Sequence, residues 1–232
     1  MKNIILLIGF ILFISCTKKE IKIPALGISG IQDVQNHSQV WIFLELKEND
    51  TIANVNRKNT ISSTHWIYNI DKRLPLKKII PELIWLQNKH ANSLHSEKGM
   101  HDYFSFSDTI SKKLSFFEFD NIIYNADNSI SKEMINKNTD HFIKYNHIHL
   151  TFSDHTILLN DDEIPFQEFT KTLKEIIDIS PKKNKTLLHL NFNENMLYQD
   201  YLFYNTLIFR FKNEKIEISK NQFIFNKNKI AY

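Results

Sequence analysis

The chain has 232 residues, 29 of them lysine or arginine and 26 aspartate or glutamate, for a formal charge of +3 at pH 7. Acids interleave with the lysines, so no basic patch of the kind that binds nucleic acid by releasing counterions is visible. Four glycines and one cysteine exclude the clustered glycines of dinucleotide and phosphate loops, the Gly-x-Ser-x-Gly elbow and any intrachain disulfide.

Lys2, the apolar run from Ile4 to Ile14, and small Ser15 before Cys16 have the order of a secretory signal. The run is shorter than the roughly twenty residues a bilayer requires. The segment Phe13-Ile14-Ser15-Cys16 resembles the lipobox of bacterial lipoproteins, although Phe13 stands where Leu is commoner. The resemblance implies that residues 1–15 are removed, that Cys16 is acylated, and that several acyl chains then hold the chain on a membrane. Thr17 after the cysteine, in place of Asp, resembles lipoproteins sent to the outer membrane, where this one would face the periplasm. An ordinary secretory signal and an uncleaved anchor are the alternatives.

Residues 16–38 lack periodicity and read as a tether, and residues 39–125 as a first domain. Val40 to Leu46 is apolar on both faces and predicts an interior strand; His65 to Ile70 predicts a second. Leu76, Ile79, Ile80, Leu83 and Leu86 fall at helical spacing behind Pro75, with Pro81 expected to kink or delay the helix. Residues 89–111 read as a polar loop, so His90, His95 and His101 are expected to be solvated there. Leu114 to Phe119 resumes a strand.

Residues 126–145 read as a linker and 146–232 as a second domain. Asn146 to Phe152 alternates, with Ile148, Leu150 and Phe152 inward and His147 and His149 outward. Ser153-Asp154 joins it to a partner strand at His155 to Leu159. Phe166, Phe169, Leu173, Ile176 and Ile177 predict a helix after Pro165. Thr186 to Phe192 predicts a strand, Met196 to Ile208 a helix, and Ile216 to Ser219 a last strand. Together these elements predict an α+β protein of two small domains, each a mostly antiparallel sheet covered by helices on one face. A shift of ninety residues sets His65, Pro75 and Leu83 on His155, Pro165 and Leu173. It reads as a duplication, with two independent strand-turn-helix units as the alternative.

The order of a hairpin (HIHLTFSDHTILLNDDEIPF), a helix, the strand LLHLNF, a helix at MLYQDYLFY and the strand KIEIS resembles the periplasmic domain of the ExbD/TolR family. The likeness covers roughly residues 146–225 and is carried by apolar positions rather than reactive groups. It implies a soluble envelope module that pairs with itself or with peptide segments of envelope proteins along a strand edge. That family's proton-linked role needs an acidic residue in a transmembrane helix, and Ile4 to Ile14 contains none.

His147 and His149 on one strand face, with His155 and His189 on other strands, are the candidate metal ligands. Metal binding or metal-dependent catalysis at this cluster is the alternative to a non-catalytic binding or scaffolding module that needs no cofactor. A structural lipoprotein without a specific partner is a further alternative. Asp161-Asp162-Glu163 reads as a solvated turn and Asp154-His155 as two members of a triad with no serine placed beside them. Trp41, Trp66, Trp85, Tyr198, Tyr201 and Tyr204 are expected in the core and interfaces.

Overall fold

The computed structural model describes residues 20–226 except 49, 57, 59, 94–98, 138–141, 154–155 and 182–183. Cys16, His95, Asp154 and His155 therefore lie outside the described residues. The fold is α+β, with two six-stranded sheets. The first contains β1 (Ala25–Leu26), β2 (His37–Lys47), β3 (Asp50–Asn56), β4 (His65–Ile70), β5 (Asp102–Asp108) and β6 (Lys113–Glu118), with α1 (Leu76–Ala91) between β4 and β5. Its order is β3-β2-β4-β5-β6, and β1 lies along the far end of β5.

The second sheet contains β7 (Ile123–Asn125), β8 (Tyr145–Phe152), β9 (Ile157–Leu159), β10 (Asp162–Ile164), β11 (Lys185–Asn193) and β12 (Ile216–Phe225). Helix α2 (Ser131–Lys137) precedes β8, α3 (Phe166–Ile179) leads into β11, and α4 (Tyr198–Phe209) joins β11 to β12. The strand order is β10-β9-β8-β11-β12-β7.

Each sheet has three parallel and two antiparallel pairings, a correction to the mostly antiparallel sheets expected. The connections explain it. A helix between two strands returns the chain to the end it left, so β4-α1-β5 and β11-α4-β12 come out parallel. Strand β5 lies in the predicted polar loop. Its Phe104 and Phe106 face inward, while Ser105 and Ser107 alternate with them and dilute the apolar signal. Pro81 does not delay α1, which starts directly after Pro75 and runs to Ala91. Of the tryptophans, Trp66 is buried, Trp41 is half-buried, and Trp85 is exposed with the Lys89 ammonium 5.4 Å above its ring.

The two sheets share one plan. Strands β2, β3 and β4, helix α1 and strand β5 take the places of β8, β9, β11, α4 and β12. The ninety-residue echo does not follow that plan, because it sets the central, parallel β4 on the antiparallel β9. The turns entering α1 and α4 instead meet each other in reciprocal fashion. Leu76 N–H donates to Met196 O (2.9 Å) and Tyr198 N–H to Leu74 O (2.9 Å), while Lys77 N–H donates to Glu194 O (2.8 Å) and Gln199 N–H to Lys72 O (3.2 Å).

A single apolar cluster runs through both halves, including Trp66, Leu83, Phe104 and Phe119 from the first and Leu150, Phe192, Tyr198 and Tyr201 from the second. Burying each such side chain stabilises the fold by about 1.5–3 kcal/mol before entropy is counted. Phe104 stacks on Phe119 at 3.6 Å and meets Tyr198 edge-on at 5.5 Å, which ties the two sheets at their centre.

The described residues around the expected domain boundary are structured. β7, expected in the first domain, pairs with β12 of the second sheet. α2, within the expected linker, packs over β11 and β12, so the second sheet carries helices on both faces. The described part of the expected tether also docks. Leu26, Ile28 and Val34 are buried, Ile31 bridges Phe116 on β6, and Gln199 of α4 exchanges two hydrogen bonds of 3.1 Å with the Ala25 backbone. No helix among the described residues is long and apolar enough to cross a membrane.

Candidate functional site

The structure brings together three of the four histidines expected as ligands. Parallel pairing sets His189 of β11 directly beside His149 of β8 and Leu187 beside His147. Strand alternation therefore places all three imidazoles on the face opposite Ile148, Leu150 and Leu188. The His149 and His189 rings stack at 5.0 Å, and those of His147 and His189 lie 5.2 Å apart.

Hydrogen bonding orders these rings into a chain. His147 Nε2 lies 3.0 Å from Phe142 O, and a carbonyl only accepts, so that nitrogen carries the donated proton. With one proton on each ring, His147 Nδ1 then accepts from His189 Nε2, 3.0 Å away. The chain ends at His189 Nδ1, a buried lone pair with no hydrogen-bond partner among the described residues. His149 Nδ1 is 2.8 Å from the Ser131 hydroxyl. Burial, reinforced by Lys132 and His147, pushes His149 down to about 4. Burial, reinforced by the other two imidazoles, pushes His189 down to about 3.

These two rings are thus neutral near pH 7, the protonation state of a metal ligand or a base. Both nitrogens of His147 are already engaged, however, and Ser131 is fully buried as the first residue of α2. The arrangement can pass or hold a proton, and it offers no three-point chelate. Sequence reasoning missed Ser131, because only the fold brings a helix start onto this strand face. In the acidic turn, Asp161 pairs with Lys132, while Asp162 and Glu163 are solvated.

A second constellation lies at one end of the first sheet, built from residues expected to be solvated. His90 is instead buried in the last turn of α1, stacked on Trp66 at 4.2 Å. Its Nε2 donates to Thr64 O (3.0 Å) and its Nδ1 lies 2.8 Å from Asp102 Oδ1. One proton is therefore shared between His90 and Asp102, and burial holds the Asp102 acid above the usual carboxylate range while His90 pulls it back. Because both imidazole nitrogens are occupied, His90 cannot take a proton from a substrate.

On the opposite face of the same sheet end, His101 Nδ1 lies 3.0 Å from Asp120 Oδ2 and 3.7 Å from Glu118 Oε1. The β5–β6 register sets Tyr103 opposite Glu118 and, continued by two residues, His101 opposite Asp120. His65 of β4 stacks on His101 at 5.6 Å, and its Nδ1 accepts the His101 backbone N–H at 3.0 Å. The Asp120 hydrogen bond raises the His101 pKa, burial and the His101 charge lower that of His65, and burial followed by the Asp120 charge raises that of Glu118. A cavity of about 500 Å³ beside this cluster is lined by Ile84, Gln87, His90, Asp102, Asp120 and Tyr124 among others. The signal that finds this group is the β5–β6 register, which is invisible while β5 reads as a loop.

No protein-family model, no curated protein and no solved structure matches the chain.

Proposed function

We propose that the chain is a bacterial envelope lipoprotein, held on the membrane by acyl chains on Cys16, whose folded part is a non-catalytic module that binds an envelope protein or peptide segment. The observation that carries the binding role is the edge of the first sheet. Among the described residues, the seven-residue β3 pairs with β2 alone, which leaves one backbone edge for a strand supplied by a partner. Ile52 on β3 and Leu46 at the adjoining hairpin are exposed and give that edge apolar contacts. The order β8-β9-β10-α3-β11-α4-β12 supports the likeness to the ExbD/TolR periplasmic module, and the shared plan of the two sheets supports reading the halves as copies of one unit.

A photo-crosslinking amino acid at Ile52 in intact cells, with Cys16 kept or changed to Ala, tests both parts. A defined envelope protein captured at Ile52, together with loss of membrane retention in Cys16→Ala, is the expected result. Retention without Cys16 would sink the lipid anchor. Retention with no captured protein would leave a structural lipoprotein.

A second reading is metal binding at the second sheet. It is favoured by the lone pair of His189 Nδ1 buried beside His149. A zinc- or copper-dependent rise in melting temperature, abolished by His189→Gln, would support it.

A further inference from the structure

We propose that His101, Glu118 and Asp120 form a binding site for a divalent transition-metal ion, distinct from the His147, His149 and His189 cluster. Each side chain offers one ligand atom, and these atoms all lie within 4.8 Å of one another. Ligands held at about 2.0–2.2 Å from a zinc ion stand roughly 3.0–3.6 Å apart. The observed separations of 3.0 Å and 3.7 Å from His101 Nδ1 are already close to that spacing, so little rearrangement is needed. One nitrogen and two carboxylate oxygens suit zinc or manganese better than calcium or magnesium, which prefer oxygen alone.

The backbone holds the three donors. Antiparallel pairing of β5 with β6 fixes their register, and Phe119 between the two carboxylates is locked by its stack on Phe104 and by its N–H bond of 3.0 Å to Asp102 O. On the first ligand's own backbone, the His101 N–H bond to His65 Nδ1 sets the ring beside its neighbour. The cluster also differs from a simple surface ion pair in having two carboxylates to one imidazole. The net negative charge left over is what a divalent ion would neutralise. Of the three ligands, Asp120 also lines the neighbouring cavity of about 500 Å³, and an ion with three protein ligands keeps a coordination position for water or a small anion.

The test is calorimetric titration of the full-length, tag-free chain in detergent with Zn²⁺, repeated with Co²⁺ while visible absorption is followed. One equivalent should bind, with the absorption pattern of mixed nitrogen and oxygen ligands. His101→Gln and Asp120→Asn should each weaken binding at least tenfold, whereas His149→Ala and His189→Gln should leave it unchanged. All three proposed ligands are at least partly exposed, so the variants should keep the near-ultraviolet circular dichroism of the parent. No saturable binding, or binding that survives His101→Gln and Asp120→Asn, would overturn the proposal. Binding lost with His149→Ala or His189→Gln would do the same by moving the ion to the other sheet.

Discussion

Asn69 of β4 and Asn191 of β11 occupy equivalent places in the two sheets. The Nδ2 of Asn69 reaches Val40 O at 3.5 Å and that of Asn191 reaches Leu150 O at 3.1 Å, each carbonyl belonging to the residue before its register partner on the neighbouring strand. Their Oδ1 atoms differ in what they accept. Asn69 takes the Ser105 hydroxyl at 2.8 Å, and Asn191 takes the backbone N–H of Ser131 at 2.8 Å, where α2 begins.

Substitution should therefore be unequal at the two sites. Asn191→Ala leaves a buried backbone N–H without a partner and should cost about 2–3 kcal/mol, while Asn69→Ala should cost about 1 kcal/mol. The smaller loss follows because the Ser105 hydroxyl keeps its 3.2 Å bond to Tyr68 O. Urea unfolding of both variants measures the difference, and equal losses would contradict the account.

Gly30 is required by space. A Cβ there would stand 2.5 Å from Phe116 O and 3.0 Å from the Phe106 ring. Neither the backbone of β6 nor a buried ring can give way cheaply, so Gly30→Ala should destabilise by about 1–3 kcal/mol. The same change should speed amide exchange at Ile31 and Phe116, whose N–H groups bond across this contact. Gly27, whose nearest neighbour would be 3.8 Å away, should accept alanine with little loss.

The imidazoles of the second sheet predict an acid sensitivity. His149 and His189 titrate near 4 and 3 in the folded protein, below the ordinary value of 6.5. Between about pH 6.5 and 4 the unfolded chain takes up protons that the folded chain refuses, so stability falls as pH falls, at on the order of 1 kcal/mol per pH unit for each ring. Above pH 6.5 the effect is absent. Unfolding at pH 7 and pH 5 should show a smaller loss in His189→Asn than in the parent. An unchanged slope would remove His189 as its source.

The continuous core predicts that the two sheets unfold together. Trp41, Trp66 and Trp85 all belong to the first half, so tryptophan fluorescence reports that half alone. Its transition should coincide with loss of amide protection in β11. Phe104→Ala should lower both by the same amount, about 3–5 kcal/mol, because that ring packs against Phe119, Tyr198 and Tyr201. Separate transitions would show that the halves are independent.

Local pattern was legible in the chain: the faces of β8 and β11 and the buried Phe169 and Leu173 of α3 follow from period alone, whereas Phe166, expected in the same stripe, is exposed. Pairing was not. Strand β5 escaped because serines alternate with its two core phenylalanines, and α2 because a seven-residue helix carries too few apolar positions to show a period. The His147, His149 and His189 cluster was half visible. Spacing put the first two on one face, but only the parallel register of β8 and β11 decides that His189 joins them. His101, Glu118 and Asp120 depend wholly on such a long-range register.

The docking of the N-terminal segment sets a reach. Lys22 O accepts the Lys72 N–H at 2.7 Å, so the chain is fastened to the first sheet from that residue on. Under the proposed acylation of Cys16, five residues separate the lipid-bearing residue from this point, and the six fully extended steps from Cys16 to Lys22 span about 20 Å at most. The domain would ride close against the headgroups, on a leash shorter than its own width. Any partner would have to come to the bilayer surface to meet it.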